Sequence, residues 1–521
     1  MTIIRFFFCS ALLLFFGVQF ASAQFNSEVF ADGELLVKYK YGSASPSAFS
    51  MNAQTGAAVL EEFPDLGWQR VKLPAGRSLK QALSLYKSSP DVESVQPNFY
   101  YHLLNSPSDA RFSELYGMQK ISAPAAWDLS TGSQTTVVAN IDTGIAYNHE
   151  DLAANMWRNE GETPGNGIDD DGNGFTDDYF GYDFFYNDSN PIDDAGGHGT
   201  HTGGTIGAVG NNALGVVGVN WNVRLMAIKI YSPSGSDTTS AMLINAYNYV
   251  RMMKNRGVNI RITNNSYGGC GEACGYDQAT RDAIDALGDA GVLQVFAAGN
   301  NGRDIEATPF YPASYTSPSI ITVAASDRDD NRVGFSNYGA SSTDLAAPGL
   351  GILSTYNSSS NSYATISGTS MAAPHVTGAA ALLASYNPNL SAASLKATLM
   401  NSVDALPQWN GVVKSGGRLN VAKALQNPTV CTYGLSGTSQ STSSAGGTFS
   451  FDVTAPPNCD FSTISSAGWI TVTGGGSGSG KIIFTVATNK GTARTGTLFI
   501  AGQTFTVNQS KARIRTRITT F

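Results

Sequence analysis

Between Ile121 and about Leu425, short uninterrupted runs of Val, Ala and Ile alternate with stretches of helical spacing, and this alternation constrains the fold more than any other feature. Examples are Thr136-Val-Val-Ala-Asn-Ile141, Arg224-Leu-Met-Ala-Ile-Lys-Ile230, Val292-Leu-Gln-Val-Phe-Ala297 and Ile320-Ile-Thr-Val-Ala324. A strand that is apolar along its length needs cover on both faces, which a parallel sheet flanked by helices provides. The expected fold here is therefore α/β. The flanks differ. From Asp32 to Tyr101, Glu34–Lys40 alternates like a strand, Ser78–Lys87 has helical spacing, and Val92–Val95 reads as another strand before Pro97. After Gln426 the helical period disappears, and Gly/Ser/Thr-rich linkers separate short alternating strands. That is a small all-β module of about 80 residues closing near Ser510.

At 521 residues the chain exceeds what one core organises, in keeping with several domains. Its net charge of -8 and the lack of any Lys/Arg run give no basic field for nucleic acid. At the N-terminus Arg5 precedes a mostly apolar run from Phe6 to Phe20, and Ala21-Ser22-Ala23 forms a small-residue cleavage site. This is the pattern of a secretory signal peptide, with no later stretch apolar enough to span a bilayer. The expected product is a secreted protein, extracellular or periplasmic, with no membrane attachment once the signal is removed. Of five cysteines, Cys9 leaves with the signal. The other four allow three pairings, and proximity favours 270–274 and 431–459.

Three blocks carry chemistry. Val138-Ala-Asn-Ile-Asp142-Thr-Gly is an apolar strand ending in an acid; Gly197-His198-Gly-Thr-His201 and Gly368-Thr-Ser370-Met-Ala-Ala-Pro374 each open a helix. In open α/β sheets, reactive groups collect at the carboxyl ends of strands and at the helix starts beyond them. A serine hydroxyl attacks well only when a base takes its proton, a near-neutral histidine can take and return that proton, and a buried carboxylate fixes the imidazole tautomer. Asp142, His198 and Ser370 supply these three types in the chain order Asp, His, Ser known from subtilisin.

With these motifs, the stretch from about Gln119 to Leu425 closely resembles the subtilisin-like serine peptidases, which implies a subtilisin-like parallel sheet with helices on both faces. It also implies a broad-specificity serine endopeptidase acting on protein or peptide substrates. The resemblance places Asn300, in Ala297-Ala-Gly-Asn300-Asn-Gly, with the Ser370 backbone N–H in an oxyanion hole; the family motif selects Asn300 over the adjacent Asn301. It assigns Ser266, Tyr267 and Gly268, together with Ala297, Ala298 and Gly299, to the walls of the pocket for the residue before the cut, where an extended substrate adds as a strand. Phe310 aligns with the pocket floor, favouring medium apolar side chains over the largest aromatics, or else turns into the core. Glu272 and Asp277 leave a basic preference open.

Calcium is the expected cofactor, at two structural sites. In Asn166-Gly-Ile-Asp-Asp-Asp-Gly-Asn-Gly-Phe-Thr-Asp-Asp178, the residues Asp169, Asp171 and Asn173 have the alternate-residue oxygen spacing of a calcium loop, with Gly174 at the turn. Phe180 stands where an EF-hand has its closing Glu, so Asp177 or Asp178 has to close the shell. For the second site the resemblance assigns Asp109, Asp151 and Asn212, with the backbone carbonyls of Gly210, Leu214 and Val216.

The flanks carry resemblances too. The Asp32–Tyr101 segment resembles the inhibitory propeptides of this family, implying an intramolecular inhibitor released by a cut between His102 and Ser108. Gly468-Trp469-Ile-Thr-Val472, Asn489-Lys-Gly-Thr-Ala-Arg-Thr-Gly496 and Phe505-Thr-Val-Asn-Gln509 resemble the BACON family of small β-sandwiches, which implies glycan binding or a spacer role. Trp469 is then a sugar platform or a core residue. The expected organisation is a signal peptide (1–23), an α+β propeptide (24–105), the peptidase domain (106–427), a β-sandwich (429–511) and a tail (512–521).

Overall fold

The computed structural model describes residues 30–100, 106–235, 237–269, 276–472 and 475–512. The signal peptide, the 270–274 cysteine pair, Glu272 and nearly all of the tail lie outside them, as does most of the expected cleavage span. The described residues fall into two compact units, one ending at residue 100 and the other beginning at 106.

In the first unit four antiparallel strands, in the order Ala58–Phe63, Trp68–Lys72, Phe30–Tyr39, Val92–Phe99, pack against two helices, Pro46–Thr55 and Leu79–Ser88. The helix at 46–55 begins with Ser45 as cap and Pro46 at its first position, and Gly56 ends it in the left-handed region. Leu35, Val37, Val71, Ala82 and Tyr86 are its buried centre.

In the second unit a nine-stranded sheet runs in the order Asp404–Ala405, Gly417–Arg418, Leu345–Pro348, Ile320–Ser326, Leu293–Ala297, Ile260–Asn265, Gly132–Asp142, Asn222–Lys229, Gly181–Asp183. All neighbours are parallel except the first pair. Separate buried clusters lie on the two faces, which is why these strands read as continuous apolar runs. The helix Thr369–Tyr386 is buried nearly all round, so its Ala- and Gly-rich surface approaches other elements closely. A Cβ at Gly378 would stand 2.6 Å from Val219 Cβ.

The C-terminal module holds two four-stranded sheets around Phe451, Phe484, Leu498 and Val507, and a two-stranded pair, Asp460–Phe461 with Gly476–Ser477. The Cys431–Cys459 disulfide expected from sequence is present. Lys396 of the helix Ala392–Asn401 is buried and pairs with Asp460 of the module at 2.8 Å and with Asp344 at 3.6 Å. A buried cation is tolerable only when paired in this way, so the contact fixes the module against the sheet domain. Trp469 is half-buried in the module's core, and the Arg494 guanidinium covers its ring at 4.3 Å. The core alternative for this tryptophan fits that packing.

Candidate active site

Asp142 ends the strand Gly132–Asp142, and the helix His198–Gly207 starts directly over it. The approach needs glycine at 199, because a Cβ there would lie 2.1 Å from the Gly144 carbonyl oxygen. Gly199 N–H donates to Thr143 Oγ1 (2.8 Å) and Asn140 Nδ2 donates to the Gly199 carbonyl (2.9 Å), which lock strand end and helix start together. Asp142 is buried and its Oδ1 lies 2.7 Å from His198 Nδ1, while the His198 side chain is 34% exposed toward the cleft. Thr143 N–H also donates to Oδ1 (2.8 Å), so the carboxylate is aimed from behind. Burial pulls the His198 imidazole down, but the charge and hydrogen bond of Asp142, with Asp193 adding, outweigh it and raise His198 above its ordinary value.

Ser370 is the second residue of the helix Thr369–Tyr386, which contains Pro374. A proline has no N–H to give to the carbonyl four residues earlier, so the Ser370 carbonyl is left free. Ser266 Oγ takes that place, donating to Ser370 O at 2.9 Å, and Ser370 Oγ in turn donates to the Ser266 carbonyl at 3.0 Å. This reciprocal pair ties the 266–269 segment to the candidate nucleophile. Among the described residues no hydrogen bond joins His198 to Ser370; proton transfer requires the hydroxyl to swing from Ser266 O to the imidazole, a contact that commonly tightens only with substrate in place.

Asn300 is held by its oxygen. Oδ1 accepts from the N–H and the hydroxyl of Thr369, each at 2.9 Å, so the amide nitrogen is the free end. A point one bond out from Gly368 Cα lies 3.6 Å from both Asn300 Nδ2 and Ser370 N. The two nitrogens therefore flank one small space beside Ser370.

Of the expected wall residues, Gly268 and Gly299 meet the Phe310 ring, as does the adjacent Gly269. A Cβ on Gly269 would lie 2.0 Å from its ring, one on Gly268 2.7 Å and one on Gly299 2.8 Å. The phenyl ring thus sits between the two backbone segments while also joining the core cluster below. The core alternative for Phe310 fits this packing. The Tyr267 phenol is bonded to Tyr247 Oη (2.6 Å) and donates to Asn265 Oδ1 (3.0 Å). Ala298 N–H donates to Val323 O (3.0 Å) and its carbonyl accepts from Asn337 Nδ2 (2.9 Å), fixing the stretch from Ala297 to Gly299. Asp277 caps the helix Gln278–Asp289.

Within the acidic loop, the carboxylates of Asp171 and Asp178 gather with that of Glu162, one oxygen from each lying within 4.8 Å of the others. Asp178 is also bonded by Asn173 Nδ2 (3.0 Å) and Asn159 Nδ2 (2.7 Å), and burial pushes its carboxyl up to about 6. Asp169 accepts from the N–H groups of Asn173 and Gly174, and Asp177 from those of Asn166 and Gly167, so both brace the loop outside the group of three. Glu162 precedes the acidic run, and its distance from the spaced aspartates hid it in the sequence.

At the second expected site Asp151 accepts from Asn212 Nδ2, Val216 N and Tyr363 Oη. The Leu214 carbonyl accepts from Ala110 N (2.7 Å), and Gly210 packs against the Trp221 ring. Asp109 Oδ2 accepts from Asn211 N (2.7 Å), while its buried Oδ1 has no hydrogen-bond partner. Burial raises the Asp109 carboxyl, and the charge of Asp151 adds to that.

The subtilase family profile matches residues 133–417, the fervidolysin N-terminal prodomain 18–98, and BACON, a putative binding domain, 460–510. Thermitase of Thermoactinomyces vulgaris is 38% identical over 322 residues, 62% of this chain and 99% of its own length. The extracellular protease of Xanthomonas campestris is 32% identical over 437 residues, 74% of this chain and 73% of its own. A solved structure described as proteases from Pseudoalteromonas arctica superposes with a TM-score of 0.51 at 27% identity, covering 62% of this chain and 99% of that one.

Proposed function

The chain belongs to the subtilase family as a serine protease with a prodomain, and from that premise we propose that it is a secreted endopeptidase acting through a Ser370 acyl-enzyme. The observation that carries this reading is the 2.7 Å contact of buried Asp142 with His198. His198 takes the Ser370 proton as Oγ bonds to the scissile carbonyl carbon. Asp142 stabilises the imidazolium, and the Ser370 N–H and Asn300 Nδ2 bind the oxyanion. The C–N bond then breaks as His198 protonates the leaving amine, and water, deprotonated by the same imidazole, releases the acid. Mass spectrometry of the mature protein and of its products on a peptide library tests this reading: internal cuts support it, and intact peptides would overturn it. The same spectra locate the prodomain cut, expected between His102 and Ser108; the unprocessed zymogen gives the end of the signal, expected at Ala23. Secretion is supported by the Ala21-Ser22-Ala23 site, and no helix among the described residues is long and apolar enough to cross a membrane.

Specificity follows from Phe310. With its ring between the walls, the pocket takes small or medium apolar residues before the cut. Phe310→Gly is expected to move the preference toward Phe and Tyr by about a hundredfold relative to Ala, read as a ratio of kcat/KM on paired peptides. An unchanged ratio would remove Phe310 from the pocket.

Calcium fits both acidic sites. The Glu162–Asp171–Asp178 group and the unpartnered, buried Asp109 Oδ1 are donor sets that a hard cation satisfies. Asp171 and Asp178 with Glu162, and Asp109, Asp151 and Asn212, would hold the ions, whose contribution is to neutralise repelling carboxylates and brace the loops. Chelator is expected to lower the melting temperature by several degrees and calcium to restore it; an unchanged transition would count against both sites. The C-terminal module acts as a fixed appendage of the enzyme, and a glycan array with the whole protein tests whether it also binds sugar.

A further inference from the structure

Asp193 lies five residues ahead of His198 and is 5% exposed. Its Oδ1 accepts from the N–H groups of Ala195 (3.1 Å) and Gly197 (3.4 Å), and its Oδ2 from the N–H (3.0 Å) and hydroxyl (2.7 Å) of Thr200. Asn357 Nδ2 reaches the same residue, donating to its backbone oxygen at 2.9 Å and to Oδ1 at 3.4 Å. Gly197, which precedes the helix His198–Gly207, is in the left-handed region (φ 79°) and has no side chain to cap with. It has to be glycine, because a Cβ there would lie 2.4 Å from the Tyr356 ring. Asp193 supplies from a distance the acceptor that a capping side chain gives locally, and its charge suits the positive end of the helix. The next residue, Asp194, pairs with Lys229 Nζ at 2.8 Å, and Lys229 also meets Asp183 at 3.0 Å. Lys229 is in register with Asp142 on the neighbouring strand. The loop before His198 is therefore held on one side by its own helix and on the other by the strand beside Asp142.

We propose that Asp193 is a positioning residue for the general base: through Gly197 and Thr200 it fixes the first turn of the helix that carries His198, and it keeps a buried negative charge at that end. This inference rests on His198 acting as the base. The charged groups that act on the imidazole are Asp142 on its strand and Asp193 on the preceding loop, and the neighbouring titratable groups are His201 on its own helix and, next to His201, His375 on the Ser370 helix. Burial holds both of those histidines neutral, near 4. Asp142 and Asp193 are thus the anions that favour the imidazolium. Removing one lowers the pH at which His198 becomes neutral and able to accept a proton.

The test uses the full chain, matured, with a chromogenic peptide across the pH range. Asp193→Asn is expected to shift the acid limb of kcat/KM to lower pH by about half a unit to one unit. Its plateau kcat should fall about tenfold with KM unchanged. Asp193→Glu, which keeps the charge but not the reach, is expected to return the limb and not the plateau. Where Asp193→Asn does not fold, Thr200→Val, which removes the shortest contact to Asp193 and keeps its charge, is expected to lower the plateau kcat with the limb in place, and an unchanged plateau overturns the proposal. A folded Asp193→Asn whose limb stays put, whatever its kcat, overturns it likewise and leaves Asp193 a purely structural cap. His198→Ala run alongside separates the two levels. Retained hydrolysis there removes the general-base reading itself, whereas an inactive His198→Ala beside an unmoved Asp193→Asn limb removes only the role of Asp193.

Discussion

Ser370→Ala is expected to reduce kcat by about 10⁶-fold, the loss known for the nucleophile of subtilisin itself, and to leave the prodomain attached to the rest of the chain. The size of the effect follows from the division of labour at the site. Without Oγ there is nothing for His198 to activate, and the donors of Asn300 and Ser370 stabilise only the slow attack of water. The fold has little reason to change. The hydroxyl is half-exposed at a helix start and makes one hydrogen bond, to Ser266 O. The reciprocal bond, from Ser266 Oγ to the Ser370 carbonyl, survives the substitution because it uses the backbone freed by Pro374. A melting temperature close to wild type with no casein hydrolysis is the expected pair of results. Undiminished hydrolysis would falsify the assignment.

Asn300→Leu carries the second-largest expected effect, a loss of about 10²–10³ in kcat with little change in KM, the magnitude known for the corresponding donor in subtilisin. The amide nitrogen meets the substrate oxygen chiefly once charge develops on it, so its removal weakens the transition state more than the bound substrate. The same substitution deprives Thr369 N–H of its acceptor, Asn300 Oδ1, which costs about 1 kcal/mol of stability. Rates normalised to titrated active sites separate the two effects. A rise in KM at constant kcat would place Asn300 in substrate binding instead.

The sheet and the candidate triad were legible because each is written in contiguous residues. The strand around Val138–Asp142 is apolar at consecutive positions because both faces are covered, and Asp142, His198 and Ser370 each sit in a block whose glycines permit close approach. The first unit was legible only in part. Its strand Ala58–Phe63 is exposed along most of its length and so lacks the alternation that marks a half-buried strand. What stayed hidden depends on residues distant in the chain. Glu162 joins Asp171 and Asp178 only after the loop folds back, and the exchange between Ser266 and Ser370 exists because Pro374 withholds an N–H a full turn away. Phe310 shows the same limit differently: its size was readable, but its place between Gly269 and Gly299 is a tertiary fact.

Covalent labelling tests whether Ser370 is the nucleophile made reactive by His198. The mature protein is treated with phenylmethylsulfonyl fluoride, and residual activity is followed together with peptide mass mapping. One adduct per molecule on the peptide containing Ser370, accumulating in step with the loss of activity and absent from a His198→Ala variant, is the predicted result. Inactivation with the adduct on another residue, or full activity with Ser370 labelled, would contradict it.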